Sequence, residues 1–481
     1  MLAKTNCNTA TLSPYSNPLG KKDVLHLYRR AGFGLSYNNI QNQTGKSAAQ
    51  LATEIVTEAI NLATTDAPEW ATWDNTFYPE EDGEIKRGHI NEWKNTYVNQ
   101  LRVNNLRDRL SFFWHNHFVT ELKEYNCPSY LYGYFNLLQL HAIGNFKTFV
   151  HDIGIDYAML TYLNGDRSGK GNPNENYARE LYELFTMGEG IGYTEEDIKE
   201  TARALTGYTN RNEGCGEIIF NPDAFDDTTK TIFGQTGAWG YSHIIDILFE
   251  QRPNEVANFI CGKLYEFFVN PLQIPEITQE LANTFIANDF ELAPVLIQLF
   301  SSEHFFDEEA RGVIIKSHYD VFLNFVNESG FSINDDLLMS GVNICGMIGQ
   351  EIFNPVDVAG WQRDRDWIGP NTMIGRWKML EFYLNDAFGM DEEQFANFAM
   401  DIAGGPGNTD PEDITRQIID WFLPLGLHTP EDYNICIDVF KSNVPQNYYD
   451  EGNWNLLSSY ASTQVFQLLQ HLIKQPEFQL K

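Results

Sequence analysis

Apolar residues recur at spacings of three and four along most of the chain. Helical periodicity dominates from end to end, and no series of strands alternating with helices is visible. The segment KKDVLHLYRRAGFG starts a short helix near Asp23 that should stop at Gly32 or Gly34. A second helix is predicted from about 47 to 62, with Leu51, Ile55 and Ile60 turned inward. Residues 65–90 are rich in Trp, Asp, Glu, Pro and Gly and read as an irregular loop. A long helix from about 88 to 118 follows. In its closing LRDRLSFFWHNHF, Leu106, Leu110, Phe113, Trp114 and His117 fall on one stripe, while His115 points elsewhere. Two further helices, broken near Gly144, place His141 on or beside an apolar face. Helical periodicity resumes at about 240 and continues to the end.

One stretch organises the rest: NPNENYARELYELFTMGEGIGYTEEDIKETARALTGYT, residues 172–209. It reads as two helices joined by a glycine turn. Asn174 caps the first, and Tyr177, Leu181, Leu184 and Phe185 form its apolar stripe. Asn176, Glu180 and Glu183 stand in a polar column on the next face, because positions four and seven apart lie above one another on a helix. Thr194 with Asp197 makes a capping box for the second helix, whose buried side is Ile198, Ala202 and Leu205 and whose end is Gly207. Residues 215–234 hold two short β-branched or aromatic runs around a turn-rich middle, which predicts a small hairpin insertion. The fold class is therefore mainly α, a large multi-helix unit over residues 21–481 behind a polar leader at 1–20, with a candidate subdivision at 236–240.

Composition narrows the partners. The 481 residues are 43% hydrophobic and 14% aromatic, enough for a large core, and 66 acidic against 33 basic side chains give a net charge of −33. That charge opposes association with phosphate backbones, so nucleic acid is excluded as a partner. The six cysteines contain no CxxC pair and no regular spacing, which predicts free buried thiols for most of them, Cys127 included. No run of about 18 apolar residues suggests a transmembrane segment, and no signal-peptide run opens the sequence, which reads as cytoplasmic.

The segments HLYRRAGFG, FWHNHF, LHAIGNF, AMLTYLNG, the 172–209 stretch, KTIFG, IKSHYD, MIGQEIFNPVDVAGW and PEFQL occur in this order from about residue 21 to 480. Together they resemble the bacterial family known as domain of unknown function 1800. The resemblance implies no defined activity. It implies frequent export and an alkaline-phosphatase-like partner protein encoded nearby, and hence polymer or surface chemistry outside the cell. Many members carry a His-Asp pair before the KT-x-x-G element, where this chain has Phe225 and Asp226.

The family segments contain His26, His115, His117 and His141, and the column of Glu180 and Glu183 beside Asn176. Imidazole and carboxylate on facing helices suit a divalent metal ion, which makes His117, His141, Glu180 and Glu183 the candidate ligands, with His26 as a further one. Without a metal, Glu180, Glu183, His117, Asn176 and Arg179 would share acid–base work. Alternatively the same groups are buried ion pairs with Arg29, Arg30, Arg179 or Arg203 that only fix packing. Arg29, Arg30, Lys170 in the glycine-rich loop 164–173, Arg203 and Trp361 are the candidate anion- and substrate-binding residues. The loop from Trp361 to Trp377, with Arg363, Arg365 and Arg376, reads either as the lining of a carbohydrate or anion cleft or as a packing lid. The leading expectation is a hydrolytic enzyme, metal-dependent in one version, acting on a polar polymer or its fragments. The rival is a non-catalytic binding or assembly protein.

Overall fold

The computed structural model describes residues 11–78, 83–210 and 214–481. Cys7, most of the leader and part of the 65–90 segment lie outside the described residues. The fold is mainly α: the described residues form 23 α-helices, with strands in two two-stranded hairpins and four isolated bridges. Buried apolar side chains from Leu12 to Phe478 form one contacting cluster, so distant parts of the sequence share a core.

The first helix runs Lys21–Ala31, starts where the Gly20 amide donates to Asp23 Oδ2 (2.8 Å), and ends at Gly32. It is buried nearly all round, and His26, Arg29 and Arg30 go inside with Leu25 and Leu27. The next predicted helix is Ala48–Asn61, capped by Ser47. Leu51 and Ile55 are buried, but Ile60 is 56% exposed. Five residues past Ile55 is well off the stripe at 100° per residue, and Ala59, at four, takes the inward place.

The long helix expected over 88–118 is two helices, Gly83–Val103 and Asn105–His115. The break falls at Asn105, whose φ of +46° is a left-handed conformation that asparagine tolerates better than most residues. His117 sits just beyond the second helix, in the turn that follows it, and both it and His115 are buried. The predicted break near Gly144 separates Pro128–Leu140 from Phe146–Gly154, with Asn145 capping the latter.

In the organising stretch Asn174 caps Glu175–Glu180 and Thr194 caps Glu195–Ala204 with a full capping box. Between them lies an element the periodicity did not show. Residues Leu181–Thr186 form one turn of π-helix, closed by the Thr186 hydroxyl donating to the Leu181 carbonyl (2.5 Å). The chain then reverses through Gly188, Gly190 and Gly192, all at positive φ.

The predicted hairpin is a pair of hairpins reaching further in both directions. β1 (Tyr208–Asn210) pairs antiparallel with β2 (Ile218–Phe220), and β3 (Lys230–Ile232) pairs with β4 (Gln235–Gly237). A disulfide joins Cys127, at the start of the Pro128–Leu140 helix, to Cys215 just ahead of β2, with Cα atoms 5.3 Å apart. This corrects the expectation of a free thiol at Cys127, whereas Cys261, Cys345 and Cys436 are free and buried.

Candidate functional site

The residue that ties the organising stretch to the rest of the core is His117. Its Nε2 lies 3.0 Å from the Phe185 carbonyl oxygen. Phe185 is in the π turn, at a helix end whose carbonyls lack further helical donors. A carbonyl only accepts, so the proton is on Nε2, and Nδ1 offers a lone pair. That lone pair faces Lys263 Nζ at 3.3 Å. Burial first, and the Lys263 charge second, hold the His117 pKa well below its ordinary value, with the Phe185 carbonyl acting the other way. The imidazole is neutral and its tautomer is fixed.

Lys263 is on the helix Pro253–Phe268, on the same face as Ile260 and Phe267. Burial, then the charge of Arg363, pull its pKa down to about 8, while Glu266 opposes the shift. Lys263 makes no carboxylate ion pair among the described residues, and its ammonium lies over the Phe259 ring at 4.8 Å.

These two groups open on a cavity of about 390 Å³, within the range of small-molecule sites. The Asn105–His115 helix contributes Arg109, Phe112 and Phe113, and the turn after it Asn116. The far wall is Asp320, in the first turn of His318–Ser329, together with Lys481. Trp361 and Trp367 close one side, and Arg363, paired with Glu266 at 3.0 Å, stands exposed at the mouth.

Arg109 is 1% exposed and lies between the Phe33 and Phe267 rings, 4.5 Å from each centroid. Its Nη1 and Lys481 Nζ both approach Asp320 Oδ1 to 2.8 Å. Both approaches lie off the directions of a well-aligned hydrogen bond, so these are charge contacts, and Arg109 Nε and Nη1 have no hydrogen-bond acceptor. Burial pushes the Asp320 carboxyl up, but the charges of Arg109 and Lys481 more than offset it and hold it well below the usual carboxylate range.

Of the other predicted site residues Trp361 alone lines this cavity, and most of the rest hold partners of their own elsewhere. Trp361 lines the cavity, with its backbone N–H donating to Asn116 Oδ1 (2.6 Å) and its indole to the Glu351 carbonyl (3.0 Å). Glu183 accepts from Arg179 (3.2 Å) and from the Tyr193 hydroxyl (2.9 Å), and Arg179 also grips both oxygens of Glu195 (3.1 and 2.8 Å). Glu180 is half-buried and makes no ion pair; burial, then the nearby Glu183, push its carboxyl up. Asn176 and Lys170 are exposed. His141 Nε2 meets Asp152 at 2.9 Å, and His26 Nε2 meets the Phe305 carbonyl at 3.0 Å.

Arg29 forks onto Glu328 (2.7 and 2.8 Å), and Arg30 donates to four carbonyls, those of Phe268, Val269, Ala310 and Lys481. Arg203 holds Asp226 (2.8 Å) and Glu200 (2.5 Å). Asp226 is thus occupied by an arginine, and Phe225 packs on Phe220 at 5.5 Å. Among the described residues no three His, Cys, Asp or Glu side chains come together as a group that could hold a metal ion. The proposed ligand set of His117, His141, Glu180 and Glu183 is not assembled, because each histidine has its own partner on a different element.

A family profile described as "Protein of unknown function (DUF1800)" matches residues 26–480, nearly the whole chain. The chain belongs to the DUF1800 family. No curated protein and no solved structure matches it. The DUF1800 description carries no activity, but two of the segments that mark the resemblance, FWHNHF and the 172–209 stretch, meet at the His117–Phe185 bond. No helix among the described residues is long and apolar enough to cross a membrane.

Arg109, Lys263, Asp320 and Lys481 escaped the reading of the sequence. The signals were present: Arg109 precedes Phe112 and Phe113 at three and four residues, and Lys263 shares a helical face with Ile260 and Phe267. A cation on an otherwise apolar face normally snorkels to the surface. Here both cations reach the wall of one cavity instead of the outer surface.

Proposed function

We propose that the chain is an enzyme that hydrolyses a polar polymer or its fragments in the His117–Lys263 cavity, with the Lys263 amine as its acid–base group. The observation that carries this reading is the 3.3 Å contact between Lys263 Nζ and His117 Nδ1 at the wall of a cavity, with no carboxylate in ion-pair contact with the amine among the described residues. The Phe185 carbonyl fixes the imidazole and the imidazole accepts one N–H of the amine, which leaves the amine lone pair free when Lys263 is neutral. A neutral Lys263 takes a proton from an attacking water, and the ammonium returns it to the leaving oxygen. With its pKa at about 8, Lys263 is poised near neutrality. Aromatic walls beside Asn116 and Gln350 suit a sugar-like substrate. The reading is built on the chain's own groups, since the expected metal ligands do not converge.

The Cys127–Cys215 disulfide supports residence in an oxidising compartment, as export would provide. There an alkaline-phosphatase-like partner would meet the same polymer. The rival reading, polar networks that serve only packing, is favoured for Arg29 and Arg203, which pair with carboxylates, and for Arg30, whose two terminal nitrogens donate to four backbone carbonyls.

The test is release of new chain ends from a panel of acidic and neutral polysaccharides by the wild type and Lys263→Met. Turnover is expected to fall by about 10²–10⁴ in the variant, and wild-type kcat/KM to rise with pH up to about 8 as the amine loses its proton. Equal turnover in the two proteins, or none on any polymer, overturns the reading.

A further inference from the structure

We propose that the cavity takes an acidic sugar unit of the hexuronate class and seats its carboxylate against Arg109. The inference rests on the catalytic reading above and adds the substrate's chemical class.

Arg109 carries the argument. It is almost wholly buried, its Nε and Nη1 have no hydrogen-bond acceptor, and none of its N–H groups makes an aligned hydrogen bond among the described residues. Arg30, one helix away and equally buried, makes four such bonds. A buried donor without an acceptor is destabilising, and a guanidinium matches a carboxylate in both charge and fork geometry. Two basic side chains, Arg109 and Lys481, face the single carboxylate of Asp320, and burial, then the Arg109 charge, lower the Lys481 pKa well below its ordinary value. A bound monoanion would favour the charged form of Lys481. Asp364, which lines the mouth without an ion-pair partner, disfavours a doubly charged phosphate.

The rest of the lining suits a ring with hydroxyls more than a fatty acid. Trp361, Phe113 and Trp367 offer aromatic faces, and Gln350, whose Oε1 accepts from the Tyr319 N–H (3.1 Å), keeps its NH₂ end without a protein acceptor. In a chain with a net charge of −33, a site where two basic side chains face one carboxylate selects the rare anion that fits it. Lys263 is left free for the proton transfer described above.

The full chain is titrated calorimetrically with trigalacturonate and trimannuronate, their methyl esters and inorganic phosphate, and the same titrations are run on Arg109→Gln with melting followed in parallel. At least one acid should bind at least about tenfold more tightly than its ester, and phosphate should not compete. Arg109→Gln should remove that preference while leaving ester affinity within about twofold. Should Arg109→Gln fail to fold, the acid-to-ester ratio in the wild type decides alone. Equal affinities for acid and ester, or binding of phosphate in their place, overturn the proposal. Tight binding of the acid without cleavage sinks the hydrolytic reading and leaves the carboxylate site standing. Cleavage of neutral polymers with no preference for acid does the reverse.

Discussion

Arg29 and Lys263 are both cations on helices, the first buried and the second part-buried at the cavity wall, and they sit in opposite conditions. Arg29 is 3% exposed, forks onto Glu328 and gives a further hydrogen bond to the Trp421 carbonyl at 2.5 Å. Lys263 has an imidazole lone pair and an aromatic face, but no carboxylate. The first arrangement is complete without a ligand and holds the amino-terminal helix to the helix His318–Ser329. The second has no carboxylate in ion-pair contact among the described residues, and in the same cavity Arg109 shares the one carboxylate of Asp320 with Lys481. Unmet polar demand is costly in a folded core, and at the cavity wall it falls on Arg109, whose Nε has no acceptor among the described residues. The distinction between matched and unmatched charge, rather than the presence of charge, separates packing from chemistry in this molecule.

Removing one partner of the matched set should do the most damage. Arg29→Met strands the Glu328 carboxylate in the core and should cost about 3–5 kcal/mol in denaturant unfolding. A cost below about 1 kcal/mol would mean that the pair is dispensable and that matching says nothing about role. Next in size is the disulfide. It closes a loop of 88 residues between Cys127 and Cys215, and replacing both cysteines with alanine should lower stability by about 2–5 kcal/mol. Reduction of the wild type should reproduce that loss, since Cys261, Cys345 and Cys436 are free in either state.

Lys263→Met probes the unmatched set, and its sign is opposite. The lysine's pKa falls from the ordinary 10.5 to about 8 on folding, so between those values the unfolded chain binds more protons than the folded one. Wild-type stability, referenced to Lys263→Met, should therefore rise with pH from about 8 to 10.5, by about 1–3 kcal/mol in all, and be flat below 8. At pH 7 the variant should be at least as stable as the wild type while losing turnover. A fall in stability at pH 7 comparable to that of Arg29→Met would place Lys263 among the packing residues.

Much of the helical frame could be read from the sequence, because each stripe reports only on its own helix. Asn174 and Thr194 announced their caps, and FFWHNHF announced that His117 goes inside. What went unread depends on partners remote in sequence. The Glu180–Glu183 column was visible as a column, but the group that claims Arg179 is Glu195 from across the hairpin, and Tyr193 claims Glu183. Cys127 finds Cys215 at a separation that no spacing rule reaches. The π turn at Leu181–Thr186 has the composition of ordinary helix, and so does the left-handed kink at Asn105. Lys263 and Arg109 were hidden for a related reason. A cation in an apolar helix is read as snorkelling to the surface until the packing of other segments shows that it faces an internal cavity instead.

The smallest effect belongs to the network that looked most like a catalytic site. Arg179 touches Glu175, Glu183 and Glu195 at 3.5, 3.2 and 2.8 Å, yet its side chain is 33% exposed and that of Glu195 67%. Water screens such pairs, and ordering long side chains consumes most of what the Coulomb attraction returns. Arg179→Ala should therefore cost less than about 1 kcal/mol, and less again in 1 M salt, where the screening length shrinks to about 3 Å. The same salt should barely alter the penalty of Arg29→Met, whose partners are out of reach of ions. If both variants respond to salt alike, burial does not set the two networks apart, and the pairing of Arg109 with Asp320 inside the cavity ranks with a surface ion pair.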